Sequence, residues 1–465
     1  MTNLKPANRY VYKIQSTAKT KSSKLYRFVS MPIEGKMQLL SLDVITAIYL
    51  KTNLDGKSFE LPREKLGDKV QKEFEKARLF YLRNSNFKLN LKINYIVVDD
   101  RIAKVEDGWI EPDDVRRDLK ELLTKQDRNL EYYDSIIAVY AEPGYNASTK
   151  DDIGVVGGGG MTPFGYSVFG VGGKLAWLFM HEYHHQIDKF FERSGMPEYW
   201  LNHPDDTTCT GRYGDHWDFN AYILRNWPTV DWLACDFGKI IETDDRDEDG
   251  IPDSDARLAL DETRFGSDRM KADTDSDGLS DLQEAMAGIF SGSDPTNADT
   301  DGDGVTDGKD SYPLYALKMV REKKVPTLNG KIELGEWQEL YPFKAHSITG
   351  KTYMEWSDGF IYFAVVSDSP LAIDLKIDPD DDGYFTGPLI PTKIAAPKPD
   401  AKCEVNGLKD TEVVSKVSNG ETVVEIKIPV LRLGDRFGIQ AIFSDKDDAC
   451  HLFEPWTLTS FTLAE

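Results

Sequence analysis

Three copies of one acidic motif occupy residues 242–310, and a chain cannot pack so many carboxylates together without compensating their charge. The copies begin at Asp245, Asp273 and Asp299, which are 28 and 26 residues apart. The stretch holds 22 Asp or Glu against 6 Lys or Arg, in a chain of net charge −23. Such a surface repels nucleic acid and anionic lipid. We expect the segment to bind cations, because a disordered acidic linker would not keep this regular spacing.

Each copy has the ligand order of a calcium-binding loop. Acids at alternate positions turn towards one ion, a Gly permits the bend, and later acids complete an oxygen cage. The second copy matches a twelve-residue EF-hand loop up to its last position, Glu284. Alternating acids in residues 378–382 predict a further calcium loop. The predicted calcium ligands are Asp245, Asp247, Asp249, Asp253, Asp273, Asp275, Asp277, Asp281, Glu284, Asp299, Asp301, Asp303, Asp307, Asp310, Asp378, Asp380 and Asp382.

The residues around the third copy, 292–304, resemble thrombospondin type 3 repeats. The resemblance implies a segment with little hydrophobic core that wraps around its ions and acts as a calcium-stiffened spacer between domains. It also implies an extracellular address, secreted or at the cell surface, because such repeats need millimolar calcium. Residues 1–5 do not have the pattern of a signal peptide, so we expect either that an export signal was removed or that the protein is not exported.

A second metal motif, His181-Glu182-Tyr183-His184-His185, lies in a predicted helix that ends near Gly195. His181 and His185 are about one helical turn apart, so both imidazoles can meet one zinc ion. Glu182 can then act as the general base for a zinc-activated water. Five of the seven histidines fall between residues 181 and 216, which favours a zinc site over a chance match of surface histidines.

A catalytic zinc usually has three protein ligands and a water. The third His of the metzincin pattern is missing, because Phe191 stands in its place. We favour His216 as the third ligand, since it opens a further predicted helix and has acidic neighbours that can orient its second nitrogen. His203 is the first alternative ligand and Asp218 is the second.

These residues resemble the zincin metallopeptidases across roughly residues 60–240. The resemblance implies a twisted sheet with an active-site helix, and hydrolysis of peptide bonds in proteins or glycoproteins. The Gly-rich residues 154–173 are then expected to form an edge strand over the active site, although a flexible loop suits them too. Two other functions stay open. One is a non-catalytic, calcium-dependent surface binding protein or adhesin on a zincin scaffold, and the other is a zinc hydrolase of non-peptide amides.

Residues 325–465 return to the alternation of β-strands and predict an all-β sandwich. Residues 328–337 and 356–363 resemble family 9 carbohydrate-binding modules and the related DOMON-like domains. This resemblance implies carbohydrate as an additional partner. Trp356 and Trp456 can stack on a sugar ring or belong to the core, and core tryptophans are the commoner case.

A chain of 465 residues is too long for one ordinary core, so we predict a multidomain protein. The predicted parts are a β-rich segment at 1–60, an α+β zincin-like domain at 61–241, calcium repeats at 242–324 and the sandwich at 325–465. No apolar run reaches the roughly 18 residues that a membrane span needs. The four cysteines either form the pairs Cys209–Cys235 and Cys403–Cys450 or remain free thiols.

Overall fold

The computed structural model divides into two compact units, so the chain is multidomain as the sequence predicts. Unit 1 comprises residues 1–203 and 220–314, and unit 2 comprises residues 204–219 and 315–465. The residues that the structure describes are 9–15, 22–29, 32–106, 108–142, 154–157, 162–171, 175–195, 217–226, 229–237, 239–310, 313–314, 323–333, 335–344, 348–379, 390–396, 405–407, 409–418, 420–430, 436–444, 449–451 and 459–462.

Unit 1 is organised around a seven-stranded mixed sheet. The seven strands of this sheet are β3 (Lys36–Leu54), β4 (Lys57–Glu60), β5 (Leu89–Val105), β6 (Ser135–Tyr140), β7 (Gly154–Gly157), β8 (Gly165–Gly170) and β9 (Ile240–Asp244), and they are preceded in the chain by β1 (Arg9–Gln15) and β2 (Ser22–Val29). The long strand β3 pairs in parallel with β5 and β6 and antiparallel with β4 and β9. β8 lies parallel beside β6, and β7 pairs antiparallel with β8. β1 and β2 form a separate hairpin.

Residues 44–50 of β3 are all buried, which is the pattern of a strand covered on both faces. The helices before residue 314 are α1 (Arg63–Asn84), α2 (Pro112–Thr124), α3 (Leu175–Arg193), α4 (Trp217–Asn226), α5 (Thr229–Phe237), α6 (Glu262–Phe265) and α7 (Asp281–Ala285). α1 buries Val70, Phe74 and Ala77 at helical spacing and packs against β5 and α3. The Tyr81 hydroxyl of α1 donates to the Met180 carbonyl of α3 at 3.0 Å, which ties the two helices together.

The boundary expected after residue 60 does not separate two units. Residues 1–60 are rich in strands, as the sequence predicts, but β3 within them is the strand to which β4, β5, β6 and β9 all pair. Its partners β5 and β6 follow it only after intervening helices. The sequence of β3 alone does not show which later segments of the chain pair with it.

The acidic repeats also belong to unit 1, which corrects the expectation of a spacer with little hydrophobic core. Ile251, Leu258 and Ala285 lie in the repeats and are buried in one cluster with Leu39 of β3 and Leu82 of α1. The apolar residues between the acids therefore anchor the repeats on the α/β sheet. The expected boundary after residue 241 lies inside this unit.

Unit 2 consists of two antiparallel sheets that share one core, which is the arrangement of a β-sandwich. Its strands are β10 (Gln338–Lys344), β11 (Thr349–Ser357), β12 (Phe360–Ser367), β13 (Ala372–Asp378), β14 (Ile390–Ile394), β15 (Val405–Asn406), β16 (Glu412–Ser418), β17 (Glu421–Pro429), β18 (Arg436–Ser444), β19 (Ala449–His451) and β20 (Thr459–Thr462). One sheet has the order β10-β11-β12-β17-β16, and the other has β15-β14-β13-β18-β19 with β20 also on β18. Phe343 of the first sheet stacks on Phe443 of the second, with ring centroids 4.2 Å apart.

Among the residues that the structure describes, no helix is both long and apolar enough to cross a membrane.

Candidate metal centres

Helix α3 carries the histidine motif and is fixed on the sheet by a buried amide. Gln186 is fully buried, and its amide nitrogen donates to the Ser167 hydroxyl of β8 at 2.7 Å. Its carbonyl oxygen accepts a hydrogen bond from Ser135 of β6. A buried amide without these partners would be costly, so the bonds favour one rotation of α3 about its own axis. Gln186 was not among the predicted site residues, although a lone amide on the apolar face of a predicted helix was a signal for it.

His181 and His185 lie next to each other on one side of α3. Their ring centroids are 4.9 Å apart and their planes are inclined by 84°. Two imidazoles that bind one zinc ion at Zn–N distances of about 2.1 Å have centroids about 5 Å apart, so this separation suits a shared ion. Glu182, beside His181 in the helix, is only 3% exposed. The Trp177 ring lies 4.8 Å from the His181 ring, one helical turn earlier.

His184 belongs to the core and not to this pair. It is 1% exposed, and its ring meets that of Tyr81 edge-on at 5.5 Å. Burial lowers the pKa of His184 to about 3; the neighbouring His181 and His185 act in the same direction, and a hydrogen bond with Asn220 opposes them. His184 is therefore neutral at physiological pH and packs against α1.

The third zinc ligand falls outside the described residues. His203 and His216 lie within residues 196–216, and the Asp218 side chain is not described either. Helix α4 begins at Trp217, directly after His216, in agreement with the predicted second helix. The choice of His216 over His203 therefore stays a prediction.

We expect His216→Ala to release zinc and His203→Ala to retain it. Loss of one of three protein ligands removes a direct bond to the ion, whereas loss of a nearby group changes only the surroundings of the ligands. Zinc per chain is measured by elemental analysis after dialysis in a zinc-buffered solution, with His346→Ala as the control for losing any histidine. The opposite result, zinc retained in His216→Ala and lost in His203→Ala, would assign the ligand to His203.

The three acidic loops share one local geometry. In each loop, ligand oxygens from three Asp side chains lie within 4.8 Å of one another. The trios are Asp245, Asp247 and Asp249; Asp273, Asp275 and Asp277; and Asp299, Asp301 and Asp303. The sixth residue is Gly in every loop and has a left-handed φ of 102°, 103° or 95°, which residues with a Cβ rarely adopt. The loop fold therefore brings the alternate acids together, as the spacing predicts.

The loops contain buried carboxylate oxygens that no hydrogen bond satisfies. Asp245 Oδ1, Asp275 Oδ2 and Asp301 Oδ2, one in each loop, are buried without a partner. Burial, with a smaller contribution from neighbouring acids, raises the pKa of Asp245 to about 6 and that of Asp249 to about 7. Unpaired buried charge is costly, so a cation fits these positions. A ligand set made only of oxygen suits calcium better than zinc.

The acid at the ninth position of each loop is also a predicted ligand. Its carboxylate accepts a hydrogen bond from the second residue of the same loop. Asp281 accepts hydrogen bonds from the backbone N–H and the hydroxyl of Thr274 at 2.9 and 2.8 Å. Asp307 accepts the same pair of bonds from Thr300 at 2.9 and 2.6 Å. Asp253 accepts from the backbone N–H of the second residue of its loop at 2.9 Å. These acids have a structural role in the loop in addition to any contact with an ion.

Neighbouring loops are joined by hydrogen bonds from backbone to carboxylate. Leu282 N donates to Asp249 Oδ2 at 3.2 Å, and Gly308 N donates to Asp277 Oδ2 at 2.7 Å. In both cases the fifth residue of one loop accepts from the tenth residue of the next. A Cβ at Gly308 would lie 2.6 Å from the Asp277 carbonyl oxygen, so this approach requires glycine. An Asp that faces the predicted ion therefore also holds the following loop.

The C-terminal site residues are placed only in part. β13 ends at Asp378, but its side chain, together with Asp380, Asp382 and Trp456, lies outside the described residues. Trp356 packs partly against the sandwich core, and the Lys323 ammonium lies 5.4 Å from its ring centroid. The side chains of all four cysteines are also outside what the structure describes, so their pairing stays open.

Comparison with known proteins gives limited matches. No family model matches the chain, and no curated protein does. A family 9 carbohydrate-binding module from Caldicellulosiruptor kristjanssonii in complex with cellotriose is 12% identical with a TM-score of 0.27, over 31% of this chain and 93% of the module. A family 9 module from the same organism in complex with glucose is 12% identical with a TM-score of 0.27, over 32% and 96%. The predicted resemblance to such modules thus has weak structural neighbours, and nothing in these comparisons supports the zincin or thrombospondin resemblance.

Proposed function

We propose that this protein is a zinc-dependent metallopeptidase that works outside the cell and uses calcium to stabilise its α/β unit. The observation that carries the proposal is the pair of imidazoles on α3, whose centroid separation of 4.9 Å suits one ion. Glu182, the residue that would serve as base, is buried next to them. The motif therefore combines two ligands and a base, which are the parts that zinc-assisted hydrolysis needs.

Each residue of the motif has a separate task in this proposal. His181 and His185, with one further ligand, hold the metal. Zinc, when bound, supplies a positive charge that acidifies a coordinated water and polarises a carbonyl group. Glu182 accepts the proton of the attacking water and passes it to the departing amine. Gln186 keeps α3 in one rotation through its bonds to the sheet, so the two imidazoles stay together.

The strands next to α3 favour a peptide as the substrate. α3 packs against β8 and β7, and β7 ends the described sheet on that side. An outer strand can pair its backbone with an extended peptide, and the glycines at both ends of β7 have no side chain that could hinder such pairing. This feature supports peptide hydrolysis over hydrolysis of other amides, whose substrates lack a long backbone to pair.

The calcium loops support an extracellular location. Three cages with unsatisfied acids need a steady supply of calcium, which is available in the millimolar range outside cells. Because the first two loops share a core with the sheet and α1, calcium would stabilise the same unit that carries the zinc motif. Their proposed role is therefore support of the catalytic unit.

The proposal is tested by metal analysis together with digestion of an unbiased peptide library. We expect about one zinc per chain and cleavage that stops when zinc is removed and resumes when it is restored. A chain that binds zinc but cleaves nothing in a broad peptide and glycoprotein panel would contradict the proposal. If it still bound a surface partner in a calcium-dependent way, the non-catalytic binding protein would become the better description.

A further inference from the structure

The first acidic loop lacks an acid where the other two have one. Position twelve is Glu284 in the second loop and Asp310 in the third, but the same count from Asp245 reaches Ala256. Alanine offers no oxygen ligand from its side chain. Counted by spacing alone, the first cage is missing the residue that closes a calcium loop.

The backbone identifies another residue at this place. Glu284 N donates to the carbonyl of the eighth loop residue at 2.9 Å, and Asp310 N makes the equivalent bond at 3.0 Å. In the first loop the eighth residue is Pro252, and its carbonyl accepts from Glu262 N at 3.0 Å. Glu262 therefore occupies the place of position twelve, six residues later in the chain than the spacing of the other loops requires.

The side chains repeat this equivalence. The Glu284 carboxylate accepts from the Ser293 hydroxyl at 3.1 Å, and Ser293 N donates to the Glu284 carbonyl at 3.1 Å. Glu262 has the same pair of bonds with Ser267, at 3.4 and 3.2 Å. In each case the hydroxyl bonds to Oε1, while Oε2 is buried and has no hydrogen-bond partner. Two glutamates from unrelated stretches of sequence thus present one unsatisfied oxygen in the same setting.

Burial and charge place the Glu262 carboxylate at the first cage. Glu262 is 1% exposed and Glu284 is 0% exposed. Oε2 of Glu262 has no hydrogen-bond partner, and Asp247 and Asp249 of the first cage are the acids whose charges act on it most strongly. A buried carboxylate that has one oxygen without a partner and lies close to these acids needs a cation beside it.

The six additional residues of the first loop form a turn that places Glu262 at position twelve. Leu258 is buried in the core cluster that it shares with Leu82 of α1. Asp261 caps α6 by accepting from Arg264 N at 2.9 Å, and α6 begins with Glu262. The inserted turn therefore has its own anchor, and the glutamate at its end does not depend on the spacing of the loop.

We propose that Glu262 is the closing ligand of a calcium ion in the first loop, supplied from beyond a six-residue insertion. This rests on the proposed calcium binding and adds a residue that the repeat spacing does not show. The ion would bridge the loop that starts at Asp245 and the turn around Leu258. Calcium in this loop would thereby fasten the insertion to the core of unit 1.

Calcium binding to the full chain and to three variants tests the assignment. Glu262→Gln and Glu284→Gln each remove one predicted closing ligand, and Asp268→Asn removes one acid from a turn outside the cages. Bound calcium is counted by native mass spectrometry, and affinities are measured by calorimetry in calcium-buffered solution. We expect Glu262→Gln and Glu284→Gln each to lose one ion, or to weaken one site at least about tenfold, and Asp268→Asn to match the wild type.

Each outcome separates the assignment from the calcium proposal itself. If Glu284→Gln loses a site and Glu262→Gln does not, Glu262 is not a ligand and only this inference fails. If the wild type binds no calcium at the loops, the calcium proposal fails with it. Glu262→Asp is a second variant in case the Gln variant folds poorly. It keeps the charge but has a shorter side chain, so we expect it to weaken one calcium site. Unchanged affinity in Glu262→Asp and in a folded Glu262→Gln would overturn the assignment.

Discussion

Glu182→Gln is expected to bind zinc as the wild type does and to cleave peptides about a hundred- to ten-thousand-fold more slowly. The substitution keeps the size and most of the hydrogen bonding of the side chain but removes the carboxylate that we propose as the acceptor of the proton of the attacking water. The loss corresponds to about 3 to 5 kcal/mol of activation barrier. His181 and His185 are unchanged, so the metal stays in place. This is the largest effect on activity that we expect from one substitution that retains zinc.

The measurement is kcat/KM on a peptide identified by the library digestion, together with zinc content and a thermal unfolding curve. Glu192→Gln is the matched control, because Glu192 lies near the end of the same helix, is exposed, and pairs with Lys189 at 2.7 Å. We expect that variant to cleave at the wild-type rate. Cleavage by Glu182→Gln at the wild-type rate would rule out the proposed role of Glu182.

Removal of calcium is expected to produce the largest loss of stability. A ligand at one hundred times its Kd stabilises the folded state by about 2.7 kcal/mol per site, so three filled loops amount to about 8 kcal/mol if they act independently. Without the ions, the acids of each loop repel one another at short range. Since the first two loops share a core with β3 and α1, we expect unit 1 as a whole to melt at a lower temperature, by on the order of 10 °C or more.

Thermal unfolding and limited proteolysis before and after chelation measure this effect. The buffer contains a fixed free zinc concentration, because chelators of calcium also bind zinc and would otherwise remove both. Chelator already saturated with calcium is the control, and restored calcium should restore the melting temperature. Unchanged melting and unchanged protease resistance of residues 242–312 would show that the acidic loops do not bind calcium.

Local patterns in the sequence predicted the elements that surround the motif. The predicted helix that carries the histidine motif and ends near Gly195 is α3, and the strand-like alternation predicted for residues 325–465 corresponds to the strands of unit 2. Both have a strong apolar period and clear breakers at their ends. The Asp side chains of each trio lie together because an alternating spacing with a Gly bend determines which side chains converge, and calcium binding itself stays a prediction.

Features that depend on distant contacts could not be predicted in this way. The burial of Ile251 and Leu258 against α1 depends on residues more than 150 positions away. Glu262 was missed because a count along the chain assumes loops of equal length, whereas a folded insertion brings a later residue to the same place. Gln186 was missed because its role depends on hydrogen bonds to two hydroxyl groups, which lie on strands that precede it in the chain.

The hydrogen bonds between the acidic loops give the array a direction. The second and third loops each donate a hydrogen bond from their tenth residue to the loop before them. The seventh residue of the loop is buried at the start of the array and exposed at its end: Ile251 is 0% exposed, whereas Val305 is 42% exposed. As calcium falls, the third loop should therefore open first and the first loop last. Every opened loop of twelve residues adds at most about 40 Å of extended chain. The length of extended chain after the sheet of unit 1 would then change in steps with the calcium concentration.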